Sequence, residues 1–461
     1  MPEKIPPPPP GEPRDVRFPQ VHTKALGNGM EVDVVGYHAL PVLYLQLVVR
    51  SGGIHDPEGI AGLAAGVAQM LKEGTRTRSS RDIAEAVEFV GGDLSTDADQ
   101  ESITIRYRVL KEHAPAALDL MADLVRNPSF PDAEIRKLKR RELDRLAVSV
   151  TDPGWLATRE FFRALYGPAH PYRVFDSTPA SIEKIARAKL VDFHRRHVVA
   201  SNAHLIAVGD VDPDAFTAEV ERAFAGWTRG RAPERDLPAV SPAKGRRVIL
   251  VDRPRSVQTQ IFIGNLALRR RDDDYIALRV SNQVLGGNAS ARLFLDLRER
   301  RSLTYGAYSR IDELPDVSPW RASAAVRSEV TEQALDAFFE NFERWRTEAA
   351  SDEELGNAKT YLTGVFPILI ETPANVADMV ASIRELGLPR DYWDTYRSRV
   401  AGVDAPIALA AARRYVDPAN MLIVLVGEAP RIESVAAHFG PVEVVSPEDG
   451  SVVRQVPAAP R

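Results

Sequence analysis

Apolar residues fall along this chain in two kinds of run. Short, dense runs at residues 30–35, 42–50, 202–209, 247–251, 259–266 and 420–427 read as buried β-strands. Residues 101–109 and 320–326 alternate apolar with polar and read as half-covered strands. Between them, apolar positions recur with helical spacing at 62–72, 114–125, 132–148, 186–197, 274–285, 331–349 and 407–415. The order is written twice. Residues 202–209 read NAHLIAVG and are followed by Asp210; residues 420–427 read NMLIVLVG and are followed by Glu428. Each of these runs follows an amphipathic helix, and each half opens strand, strand, helix. The repeat predicts an α+β protein of two homologous tandem domains, each a mostly antiparallel sheet with helices packed on it.

A stretch poor in apolar residues separates the halves. It contains Pro233, Pro238 and Pro242 and reads as a linker over 227–245. The expected domains are therefore 18–226 and 246–446, flanked by a proline-rich disordered tail at 1–17 and a second tail at 447–461. The formal net charge of -5 leaves no basic excess with which to neutralise nucleic-acid phosphates. Arg269, Arg270 and Arg271 run straight into Asp272, Asp273 and Asp274, which reads as a solvated surface turn. There is no cysteine, so disulfides, thiolate metal sites and a cysteine nucleophile are excluded. No apolar run reaches the ~20 residues of a membrane span. The proline-rich leader lacks an apolar signal core. A periplasmic location is expected if an export signal has been removed ahead of it, and a cytoplasmic one otherwise.

Residues 59–75 read GIAGLAAGVAQMLKEGT. This stretch resembles the start of the pitrilysin/insulinase-type zinc peptidases, whose helix reads roughly GLAHxxEHMLxxGT. Gly62, Leu63, Ala64, Met70, Leu71, Gly74 and Thr75 fall in register with it. In that motif two histidines four apart lie on one helix face and bind zinc, and the intervening glutamate is the base on a metal-bound water. In this chain Ala65 stands at the first histidine position, Ala68 at the glutamate and Gln69 at the second histidine. The resemblance further implies a distal glutamate on a later helix, whose counterpart falls at Asp144 or Arg145. No zinc is expected in this chain. His194 and His197, in HRRH, have a possible ligand spacing but no completing acid; cationic residues set against a helix dipole explain them better. His170, in YGPAHPY, is expected to be architectural.

The second half carries LGGNASARLF over 285–294 and DLRERRSLTYGAYS over 296–309. This is similar to the second signature of the same family, in which an arginine and a tyrosine lie seven positions apart. Arg298 and Tyr305 have that spacing. The resemblance implies that the pair reaches the zinc centre of another half and hydrogen-bonds the substrate backbone and the developing oxyanion. A phenol and a planar cation suit an oxygen that gains charge in the transition state. Gly286 and Gly287 are expected to let the backbone turn sharply or approach a substrate. Arg300, Arg301 and Tyr308 lie close enough to compete for the assignment.

The expectation is a non-catalytic subunit of a heterodimeric peptidase, whose partner chain holds an intact HxxEH site and the zinc. This half supplies chamber wall, contacts to a peptide or unfolded polypeptide, and Arg298 with Tyr305. The rival is a scaffold protein that kept the fold and left proteolysis altogether. A third reading, an active peptidase on its own, requires zinc from another site.

Overall fold

The computed structural model describes residues 16–235, 237–241 and 244–460. The proline run at 6–10 lies outside the described residues. The first half builds a sheet from β1 (His22–Ala25), β2 (Glu31–Gly36), β3 (Val42–Val49), β4 (Asp93–Ala98), β5 (Ile103–Leu110) and β6 (Ala203–Gly209). Its order is β1-β2-β6-β3-β5-β4, with only the β2–β6 pair parallel. The second half builds a sheet from β7 (Arg247–Asp252), β8 (Gln258–Leu268), β9 (Thr304–Ile311), β10 (Ser318–Arg327), β11 (Leu422–Gly427), β12 (Val442–Val445) and β13 (Val452–Val456). Its order is β13-β12-β7-β11-β8-β10-β9, with the β7–β11 and β7–β12 pairs parallel. The orders superimpose strand for strand: β2, β6, β3, β5 and β4 match β7, β11, β8, β10 and β9. The repeat in the sequence is thus a repeat of topology, and most pairs are antiparallel as expected. The tail expected at 447–461 is in part a strand, because Val452–Val456 pairs with β12.

Strands β6 and β11 are buried from end to end, and the glycine that ends β6 has a steric reason. A Cβ on Gly209 would stand 2.3 Å from the Val42 carbonyl oxygen. Asn202, just before β6, donates to Ser51 Oγ at 3.0 Å and to the His197 carbonyl at 3.1 Å, tying strand to helix. Between Phe224 and Arg247 the described residues form no helix or strand, but they are packed down. Arg235 donates to Glu101 at 2.7 Å and to the Tyr172 hydroxyl at 2.8 Å.

The halves exchange helices. Pro153–Tyr166, from the first half, lies on β8 and β11 of the second sheet, where Leu156, Ala157 and Phe161 join Val251, Phe262 and Val424 in one apolar cluster. Pro373–Glu385, from the second half, lies on β3 and β6 of the first sheet, where Val376, Ala377 and Val380 join Val48, Ile206 and Val208. Both helices start the same way. Asp152 and Thr372 accept the N–H of Trp155 and Asn375, and a proline stands first in each helix. Polar links back both contacts. Arg247 donates to the Ala164 carbonyl at 3.0 Å. Arg384 reaches Glu31 and Asp33, and Asp33 also accepts from His204 at 2.7 Å in a buried pair. Burial opposes ionisation of Asp33, but the His204 bond and charge, Thr23 and Arg384 together hold its pKa at about 2.

The exchange predicts cooperative unfolding. Phe161→Ala, at a fully buried side chain, is expected to cost about 3–5 kcal/mol and to lower one thermal transition shared by both halves. Calorimetry checks this; two separate transitions would contradict the coupling.

Candidate functional site

Helix Leu63–Leu71 starts from Gly62, which takes the left-handed conformation at φ 91°. The first backbone N–H groups of a helix need acceptors. Here the Asp56 carboxylate supplies them, accepting from Gly62 at 2.7 Å, Leu63 at 3.2 Å and Ala64 at 2.8 Å. Burial pushes the Asp56 carboxyl up to about 6, against the lowering effect of those bonds. Asp56 lies outside the motif, so sequence reading passed over it.

Ala68 is fully buried in the core of the first half. Ala65 is half-buried and lines two cavities of about 350 and 360 Å³. Gln69 turns toward the long helix Asp132–Ser149, where its amide donates to Glu142 at 2.8 Å. The other Glu142 oxygen accepts from Arg145 Nε at 2.8 Å, and the two terminal nitrogens of Arg145 grip Asp176 at 2.9 and 2.7 Å. Trp155, on the exchanged helix, donates to the same Asp176 at 3.2 Å. Of the two positions expected for the distal ligand, Arg145 joins this cluster and Asp144 is exposed. The carboxylate facing Gln69 is Glu142, one helical turn before Arg145, which the motif register did not single out. Burial pushes Asp176 up, but the bonds and charge of Arg145 outweigh it and hold its carboxyl below the usual range.

These residues do not fit a zinc ion. Two alanines bring no donor atom, the Gln69 amide is spent on Glu142, and the charge facing Glu142 and Asp176 is a guanidinium. Among the described residues no group of three or more His, Cys, Asp or Glu is placed to hold a metal.

Arg298 and Tyr305 sit in the second half, and neither cavity lined by Ala65 includes them. Arg298 belongs to a π-helical turn, Leu295–Arg300, and lies 4.7 Å over the Phe294 ring, with Glu299 at 3.4 Å. The Phe294 ring packs in turn on Tyr308 at 5.7 Å. Tyr305 lies on β9, the edge strand. Pairing runs from Ala307 opposite Ala324 to Thr304 opposite Val326, so the strand bulges at Tyr305 and Gly306. A bulge re-aims a side chain, and Tyr305 is 89% exposed. Arg300 and Arg301 instead turn to buried Asp296, both at 3.2 Å. Gly286 and Gly287 have a packing reason. A Cβ on Gly286 would meet Ser309 N at 2.5 Å, and one on Gly287 would meet Gln283 Oε1 at 2.2 Å. They let the helix Tyr275–Gly286 close on β9.

His194, His197 and Arg270 differ from expectation in kind, and His170 does not. His194 bonds the Val125 carbonyl at 2.8 Å, while His197 bonds Ser51 at 3.2 Å and stacks on Phe193 at 4.2 Å. They serve separate partners. Burial lowers both pKa values, that of His197 to about 4, so the helix-dipole account fits only Arg195 and Arg196. His170 is architectural: it is buried, accepts from the Tyr172 N–H at 3.2 Å and stacks on Tyr166 at 5.0 Å. Arg270 is not on a solvated turn. It is 3% exposed, 3.8 Å over the Tyr275 ring and 4.6 Å over the Tyr392 ring, with Glu313 at 3.4 Å.

Two family descriptions match the sequence: Insulinase (Peptidase family M16) over residues 39–156, and Peptidase M16 inactive domain over 184–362. An uncharacterized zinc protease of Mycobacterium tuberculosis is 30% identical over 324 residues, which are 68% of this chain and 72% of the relative. A non-peptidase homolog of Helicobacter pylori is 24% identical over 369 residues, 79% of this chain and 84% of the relative. The crystal structure of a peptidase M16 inactive domain from Pseudomonas fluorescens matches with a TM-score of 0.82 at 27% identity, covering 88% of this chain and 98% of that one.

The Arg145 cluster has a testable energetic signature. Arg145→Met leaves Glu142 and Asp176 without their cation. Because the Arg145 side chain is 43% exposed, solvent screening limits the expected loss to about 1–2 kcal/mol. The folded-state pKa of Asp176 lies below its unfolded value, so its contribution is present above about pH 4 and is lost as pH falls further. Denaturant melts of both proteins should therefore differ at pH 7 and converge in acid. A gap that persists at low pH would contradict the ion-pair account.

Proposed function

As a chain that belongs to the insulinase (M16) peptidase family, this protein is, we propose, the zinc-less half of a two-chain peptidase. Its partner is a homologous chain with an intact HxxEH helix, and that partner holds the metal centre. The observation that carries the reading is a contrast within one molecule. The ligand positions of the first half are closed by Ala65, Ala68 and the Gln69–Glu142–Arg145 cluster. The second half presents Tyr305 at a bulged sheet edge, 89% exposed, with Arg298 half exposed beside Phe294.

The chemistry follows from residue type. Arg298 supplies a fixed charge and Tyr305 a neutral O–H, both able to donate to a carbonyl oxygen as negative charge grows on it. The edge strands β4 and β9 leave one side of their backbone unpaired. An unfolded peptide can add to such an edge as a further strand, a contact made by backbone and so open to many sequences.

Mixing the purified chain with its HxxEH partner should produce peptide hydrolysis that neither shows alone. In that mixture Tyr305→Phe should lower kcat by about 10²-fold while leaving the assembled mass unchanged in sedimentation. Full turnover by the variant would assign the tyrosine to structure, and a mixture that hydrolyses no peptide would favour the scaffold reading.

A further inference from the structure

Two cavities meet where the exchanged helix Pro373–Glu385 ends against the first half. The smaller, about 200 Å³, is lined by Arg50, Arg235, Arg271, Arg384, Glu101 and Glu385 among others. The larger, about 750 Å³, has an apolar floor of Phe18, Val21, Val380, Ile383 and Leu388. Arg50, Arg384 and Gly387 line both. Junctions between domains are where ligand pockets form most readily, and this one draws residues from both halves and from the linker.

The charges are distributed unevenly. The larger groove balances itself, with Arg50, Arg384 and Arg390 against Asp33, Asp391 and Asp394. The smaller pocket does not: four guanidinium groups face two carboxyl groups. Two of the four are already spent. Arg235 is held by Glu101 and the Tyr172 hydroxyl, and Arg384 by Glu31 and Asp33. Arg50 and Arg271 are exposed, and their side chains have no hydrogen-bond or ion-pair partner among the described residues. Burial, with Asp99 next in weight, pushes the Glu385 carboxyl up to about 7, so near neutral pH it offsets only part of that positive charge.

We propose that the joined cavities bind an organic carboxylate, its anionic head between Arg50 and Arg271 and its apolar body on the floor of the adjoining groove. Guanidinium forks match a carboxylate geometrically. A pocket of this size that also contains Glu101 and Glu385 suits a single negative charge better than a phosphate dianion. A free peptide C-terminus and a small organic acid share this chemistry. The site is built from this chain alone and does not depend on the two-chain peptidase reading.

The test uses the full chain and fluorescence anisotropy. The probes are a fluorescein-labelled hexapeptide ending in phenylalanine with a free carboxylate, and the same peptide as its C-terminal amide. The acid is expected to bind at least about tenfold tighter than the amide. The double variant Arg50→Gln/Arg271→Gln, altered only at exposed side chains and checked for an unchanged thermal midpoint, should erase that advantage. Displacement of the label by 4-phenylbutyrate would show that a small acid suffices; failure to displace it would identify the peptide terminus as the ligand. Either result upholds the site. Equal binding of acid and amide, no binding of either, or an advantage that survives in the double variant would overturn it.

Discussion

Each sheet of this protein is covered on one face by a helix that the other half of the chain supplies. Phe161 and its neighbours dock on β8 and β11, and Val376 and Val380 dock on β3 and β6. Neither half can bury both faces of its own sheet without the other, so the two repeats form a single folded body. The linker needs no stiffness of its own, because the exchanged helices fix the geometry. Polar consequences follow from the same contact. Arg384 reaches the buried Asp33–His204 pair only because its helix lies on the first sheet. Trp155 reaches Asp176 only because the reciprocal helix leads away toward the second. The paired cavities near Arg50 exist at one seam of this exchange.

The helix that carries Ala65, Ala68 and Gln69 faces an ionic cluster that balances its own charge. Removing histidine donors from a zinc centre leaves any nearby carboxylate facing low-dielectric surroundings without a counter-charge, which is costly. Glu142 and Asp176 would be left in that position. Arg145 answers both, and Gln69 satisfies the second Glu142 oxygen. The cation beside this helix is tethered to the chain, and its Nε and both terminal nitrogens donate to Glu142 and Asp176. That arrangement is stable without metal. It separates the fold's need for charge balance from any need for catalysis.

Much of the fold was legible because it is local. The buried strands, the amphipathic helices and the repeated Asn-to-Gly strand follow from periodicity, and the GLA–ML–GT frame carries the resemblance to the family. What was hidden is tertiary. The caps at Asp152 and Thr372 announce two helices, but nothing in a one-dimensional pattern says that they cross to the opposite sheet. Counting from the motif offered Asp144 or Arg145, and Glu142, which faces Gln69, lies outside that pair of positions. Arg270 read as solvated because its neighbours are charged, yet three aromatic rings enclose its guanidinium. His194 and His197 read as cations because arginines flank them, whereas burial disfavours their charged form. Composition reports the average environment of a segment; a single side chain turned inward escapes it.

The account stands most directly on the closed ligand face of helix Leu63–Leu71. The decisive measurement is the zinc content of the purified chain after incubation with a small excess of zinc and removal of free metal, read by plasma mass spectrometry. The account predicts far less than one zinc per chain, both for the wild type and for Gln69→His, because Arg145 still holds the carboxylates. One zinc per wild-type chain would contradict it.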